Sequence, residues 1–127
     1  MITGIGHICI GVSDLDRAVE FYTTKLGFSA GRRVALPGGA VLVGLKPPGL
    51  DTEGTELELY FNPADPTGRL RHIGLVVGDV WKAAAQLREM GVDFHRDPPP
   101  QDAIGAPAIA FFRDPDGVEI EILEEGD

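Results

Sequence analysis

The sequence repeats itself. His72-Ile73-Gly74-Leu75-Val76-Val77 follows His7-Ile8-Cys9-Ile10-Gly11-Val12 at an offset of 65, and Asp79-Val80 follows Asp14-Leu15 at the same offset. Gly91 follows Gly27 at 64, and Glu121 follows Glu58 at 63. An offset this steady over about half of a 127-residue chain marks a duplication, which restricts the fold to two copies of one supersecondary block.

The hydrophobic periods say what the block is. Over Ile5–Val12 the side chains alternate, with Ile8, Ile10 and Val12 on one face and His7, Cys9 and Gly11 on the other, so this stretch reads as a strand. Ser13 or Asp14 then caps a helix, and Asp16 adds a negative charge to its first turn. Leu15, Ala18, Val19, Tyr22 and Leu26 recur at helical spacing up to a glycine stop at Gly27; Phe21 and Tyr22 are expected in the core. Strand-like pieces follow from Ser29. Arg33–Leu36 and Ala40–Leu45 flank a hairpin turn at Pro37-Gly38-Gly39, Lys46–Gly54 is a loop, and Thr55–Phe61 is a third strand. Asn62–Gly68, with two prolines and a glycine, is the linker.

The second copy begins with the strand from His72. Its helix carries an apolar stripe of Ala83/Ala84, Leu87 and Met90. Strands are expected over Val92–His95, Pro107–Arg113 and Val118–Leu123, the last entered through the turn Asp114-Pro115-Asp116-Gly117. The expected fold is α+β: one domain of two tandem β-α-β-β-β modules, residues 1–62 and 69–127, joined by 62–68.

Charge and composition narrow the partners. The net charge is −9 with no Lys/Arg cluster, which argues against nucleic acid and anionic membranes. No apolar run reaches the ~18 residues of a membrane span. Cys9 is the only cysteine, which rules out an intrachain disulfide and fits a reducing compartment, so a cytoplasmic protein with a small-molecule substrate is expected.

Each copy has a histidine on its first strand and a glutamate on its last, separated by 51 residues (His7 to Glu58) and 49 (His72 to Glu121). On each strand that residue lies opposite the clean apolar face. With the apolar faces under the helices, all four polar groups are expected on the concave side, holding one divalent metal ion. Two imidazoles and two carboxylates suit Zn²⁺, Ni²⁺, Co²⁺, Mn²⁺ or Fe²⁺. Four protein ligands on a six-coordinate ion leave room for a reactant, as in a Lewis-acid site, and Glu121 or Glu58 beside the ion serves as the base. Glu56 shares a face with Glu58, as Glu119 does with Glu121, so each ligand has a competitor. Cys9 is expected as a small buried filler and His95 as a solvent-exposed residue. Pro98–Pro100 with Gln101–Gly105 reads as a lid, and Arg69-Leu70-Arg71 as a solvated run leading into a strand.

Gly6-His7-Ile8-Cys9-Ile10 with Asp14, Phe21-Tyr22-Thr23-Thr24-Lys25-Leu26-Gly27-Phe28, Arg71-His72-Ile73-Gly74, and Asp114-Pro115-Asp116-Gly117 leading to Glu121 together resemble the vicinal oxygen chelate superfamily. The likeness covers essentially the whole chain and implies paired modules curling into a partly open barrel around the metal. Within the superfamily the chain is similar to glyoxalase I of the short bacterial type, whose four ligand positions map onto His7, Glu58, His72 and Glu121. That resemblance implies a lyase/isomerase acting on a hemithioacetal or similar α-hydroxycarbonyl compound, possible thiol adducts included, by proton transfer through a metal-bound enediolate. It also implies a homodimer. Asn62 matches a position associated with glutathione contact. Short glyoxalases carry an arginine four residues after the first histidine, where this chain has Gly11; Arg32, Arg33, Arg69 and Arg71 are the candidates to supply that charge. The alternatives are an extradiol dioxygenase, an enzyme like methylmalonyl-CoA epimerase, or a non-catalytic binding protein of the bleomycin-resistance kind.

Overall fold

A computed structural model describes residues 1–48 and 54–124; the expected loop Lys46–Gly54 lies largely outside the described residues. The first half runs β1 (Ile2–Gly11), α1 (Leu15–Glu20), a π-helical turn (Phe21–Lys25), β2 (Ser29–Ala35), β3 (Val41–Lys46) and β4 (Glu56–Phe61). The second runs β5 (Arg69–Val77), α2 (Val80–Glu89), β6 (Phe94–Arg96), β7 (Ile109–Arg113) and β8 (Glu119–Glu124). The fold is α+β, with its strands in two β-α-β-β-β halves, as the duplication predicts. Both helices start by the same device. Asp14 and Asp79 are extended residues whose side chains accept from the backbone N–H groups of Arg17 and Lys82, three residues on.

By internal contact the chain divides into His7–Arg71 and a second unit of Met1–Gly6 with His72–Asp127. In the unit of residues 7–71 the strands lie in the order β2-β3-β4-β1, with β4 and β1 parallel and the other pairs antiparallel. Leu15, Val43, Leu45 and Leu59 are buried there, with Ile10, Leu57 and Tyr22 packed against them. In the other unit the order is β5-β8-β7-β6, with β5 and β8 parallel. Its core is Val77, Val80, Ala83, Ala84, Ala110 and Ile122, with Leu75 and Trp81 against it. The first residues of β1 belong to this unit: the Thr3 hydroxyl donates to Val76 O at 3.3 Å.

Several boundaries differ from the expectation. The first helix is α-helical for six residues only, then widens into the π turn, where the Thr23 and Thr24 hydroxyls bond back to the carbonyls of Val19 and Glu20. The wider turn carries Leu26 off the apolar stripe, whereas Phe21 still closes the α-helical part beside that stripe. Phe21 is 49% exposed rather than in the core, and Leu26 is exposed as well. Tyr22 stays in, its ring edge-on to Phe28 at 5.7 Å. Met90 also leaves the predicted stripe, because α2 ends at Glu89 and Met90 is its exposed C-cap. β2 starts at Ser29, where the strand-like stretch was expected to begin, and carries an irregularity between Ala30 and Arg33. Arg69-Leu70-Arg71 is part of β5 itself. Among the described residues, no helix is long and apolar enough to cross a membrane.

Candidate metal-binding residues

In the unit of residues 7–71, the parallel register of β1 and β4 sets His7 opposite Glu56 and Cys9 opposite Glu58. His7 passes over its direct neighbour: its Nε2 lies 3.5 Å from Glu58 Oε1, two residues further along β4. Both residues are buried, at 5% exposure each. Ile10, Leu57 and Leu59 alternate with them and pack toward the core under α1. In the other unit, β5 and β8 set His72 opposite Glu119 and Gly74 opposite Glu121. Again the diagonal glutamate is used, with His72 Nε2 3.1 Å from Glu121 Oε1. Glu121 is buried and His72 half-buried, and the His72 ring stands edge-on to Phe111 at 5.7 Å.

The duplication therefore extends to strand register, and the partners of each carboxylate separate the competing glutamates. Glu56, opposite His7, turns to Arg32 Nη2 at 3.0 Å and Lys46 Nζ at 3.8 Å. Glu119, opposite His72, pairs with His95 Nε2 at 3.2 Å. His95 is exposed as expected, but it is engaged, and its ring lies 6.2 Å from that of Phe111. Cys9 is buried, as expected of a filler.

Arg32 is a partner of these glutamates that the His–Glu spacing does not predict. Its Nη2 donates to Glu58 Oε2 at 2.7 Å as well as to Glu56. The sequence did carry a signal: Glu56 and Glu58 put two like charges on one strand face, and such a face calls for a cation. The other arginine candidates are also engaged. Arg69 and Arg71 both reach Asp65 Oδ2, at 3.1 and 3.3 Å, and the Arg71 guanidinium lies 4.9 Å from the centre of the Tyr60 ring. The Thr67 hydroxyl beside Asp65 does most to hold its carboxyl below the ordinary value of 3.8, against an upward push from desolvation; Arg69 and Arg71 add to the lowering.

Asn62 opens the linker. Its Oδ1 accepts from Ala64 N at 2.9 Å, and its Nδ2 donates to the Tyr60 hydroxyl at 3.3 Å. At Gly11 a Cβ would stand 2.8 Å from Thr67 O and 3.2 Å from Arg71 Cδ, so linker backbone and Arg71 already fill the space of a side chain. Nearby, an open groove of about 400 Å³ is flanked by Gly11, Arg17, Tyr22 and the exposed Phe21. The Pro98–Pro100 run is tied to α2, with Trp81 Nε1 donating to Pro99 O at 2.7 Å.

Each unit thus presents an imidazole nitrogen beside a carboxylate oxygen, largely shielded from water. Imidazole with carboxylate is a borderline-to-hard donor set that fits a divalent first-row ion. The protein class is that of tandem β-α-β-β-β proteins with a His/Glu pair in each half. The model of the Glyoxalase/Bleomycin resistance protein/Dioxygenase superfamily matches residues 4–122, and the chain belongs to that superfamily. A lactoylglutathione lyase of Escherichia coli O157:H7 is 33% identical over 125 residues, covering 95% of this chain and 92% of its own. A probable lactoylglutathione lyase of Synechocystis sp. is 32% identical over 122 residues, covering 93% and 92%. Among solved structures, a Streptomyces coelicolor methylmalonyl-CoA epimerase variant, in complex with 2-nitronate-propionyl-CoA, gives a TM-score of 0.79 at 27% identity, covering all of both chains. A second methylmalonyl-CoA epimerase gives 0.81 at 24% identity, covering 100% of this chain and 98% of that one, and bears on the fold alone.

Proposed function

We propose that the chain is a divalent-metal-dependent lyase/isomerase of the glyoxalase I type, in which His7, Glu58, His72 and Glu121 together hold one ion. The observation that carries this reading is the duplicated His–Glu pair, made by the same diagonal across parallel strands in each unit. Relatives named lactoylglutathione lyase, about a third identical over nearly the full chain, support the same class. A bound ion would supply Lewis acidity to the oxygens of an α-hydroxycarbonyl substrate.

The residues then divide the work. His7 on β1 and His72 on β5 act as fixed imidazole donors. Glu121 or Glu58 takes the proton from the substrate carbon and returns it to the neighbouring carbon. Burial of both carboxylates keeps bulk water from competing for that proton. Asn62 and the arginines beside Gly11 contribute to the tail of the substrate. With linker backbone against Gly11, that tail is bound differently from one held by an arginine at this position.

The test is turnover of the hemithioacetal of methylglyoxal with glutathione and with other thiols, after loading with each divalent ion. Conversion with at least one pair supports the reading; no conversion with any pair removes it. Epimerase activity is the second reading, favoured by the structural match to methylmalonyl-CoA epimerases. Proton exchange into an acyl-CoA, without loss of hemithioacetal, would select it.

A further inference from the structure

The two oxygens of Glu58 meet different neighbours. Oε1 faces His7 Nε2 at 3.5 Å, whereas Oε2 takes a 2.7 Å hydrogen bond from Arg32 Nη2. The Glu58 side chain is 7% exposed and that of Arg32 48%, so the guanidinium reaches inward from the rim. Glu56 steadies it from the other side, with Oε1 3.0 Å from the same nitrogen. Gly44 makes that possible. A Cβ at residue 44 would stand 2.6 Å from Glu56 Oε2 and 2.7 Å from Glu56 Cδ, so this carboxylate occupies the space a side chain would need. With Lys46 Nζ 3.8 Å from Glu56 Oε2, the row Lys46, Glu56, Arg32, Glu58 alternates in charge and ends on a buried carboxylate.

From this geometry we infer that Arg32 is a positioning residue that commits Glu58 to a metal ion through Oε1 alone. The inference rests on the metal reading above and adds to it a control on one ligand. A carboxylate can bind an ion through one oxygen or through both, and the second oxygen takes up a further coordination position. Arg32 holds Oε2 in a charge-assisted hydrogen bond and so opposes the two-oxygen mode. Its effects on binding and turnover have opposite signs. A guanidinium beside a ligand weakens the grip on the cation, by repulsion and by drawing charge from the carboxylate. The same guanidinium keeps a position open for the reactant. A residue that merely supported the fold would, when removed, weaken metal binding and turnover together.

The experiment uses the full chain and Co²⁺, whose visible absorption reports the number of bound ligands. Affinity is read by competition with a chromophoric chelator. The wild-type protein should bind one ion per chain. Arg32→Gln should bind Co²⁺ about tenfold tighter, because a positive charge beside the ion's ligand is removed, with an altered visible spectrum and a lower kcat. Equal or weaker Co²⁺ binding by folded Arg32→Gln, with an unchanged spectrum, overturns the inference and leaves the metal reading standing. No ion on the wild-type protein overturns both. If Arg32→Gln does not fold, Arg32→Lys takes its place: it keeps the charge without the planar fork and should show a smaller shift of the same sign. An unchanged affinity and spectrum there would overturn the inference equally.

Discussion

Glu121 and Glu119 are neighbours on one face of β8, yet only Glu121 is paired with His72. Glu121→Gln should therefore lower metal affinity by more than the roughly 10–100-fold that loss of an outer partner costs, while Glu119→Gln should leave it within about threefold. Isothermal titration with Zn²⁺ reads both. The sequence placed both glutamates on the correct face but left the choice between them to turn spacing, because it does not state which residues of two parallel strands stand opposite each other. Register supplies that; Arg32 is harder to read, because it lies on β2, which is not paired with β4, and its partners are 24 and 26 residues away. Asp65 gives a prediction in pH. Its carboxyl titrates lower in the folded chain than the ordinary 3.8, so its stabilisation is complete above that value and is lost as pH falls through the folded pKa. Asp65→Asn should remove that part of the acid sensitivity. Denaturation midpoints of the two proteins should accordingly differ at pH 6 and converge below the folded pKa.

At the scale of elements, the alternation that marks the strands also decides which face each residue serves, and this much was readable from apolar spacing alone. Ile122 is wholly buried under α2, with Glu121 beside it on the other face. Ile122→Ala should cost about 2–5 kcal/mol in urea unfolding, with metal stoichiometry unchanged in the folded fraction. The first helix was harder to read. Its apolar spacing runs on to Leu26, but threonine hydroxyls bonding back to the helix accompany a wider turn that sequence periodicity does not encode. Leu26 loses its place in the core for that reason. Gly11 is constrained by its surroundings rather than by its φ. A Cβ 2.8 Å from Thr67 O must displace the linker, so Gly11→Ala should destabilise by about 1–3 kcal/mol, and an arginine there should destabilise further. The glycine at this position, in place of the arginine expected from the resemblance to short glyoxalases, is therefore built into the packing of the linker.

At the scale of the whole molecule, the duplication was the most informative feature of the sequence, because two copies of one block predict two copies of one side-chain pair. Both pairs are found, each within its own unit, at 3.5 and 3.1 Å. An ion bound only by the folded chain adds stability by mass action, about 2.7 kcal/mol at a hundredfold excess over its Kd, so chelation should lower Tm. The central claim is that both pairs serve a single ion, and metal content per chain tests it most directly in the wild-type protein, His7→Ala and His72→Ala. The account predicts one equivalent of tightly bound divalent ion in the wild type and none in either variant. Two equivalents in the wild type, or a variant that keeps its full complement, would contradict it.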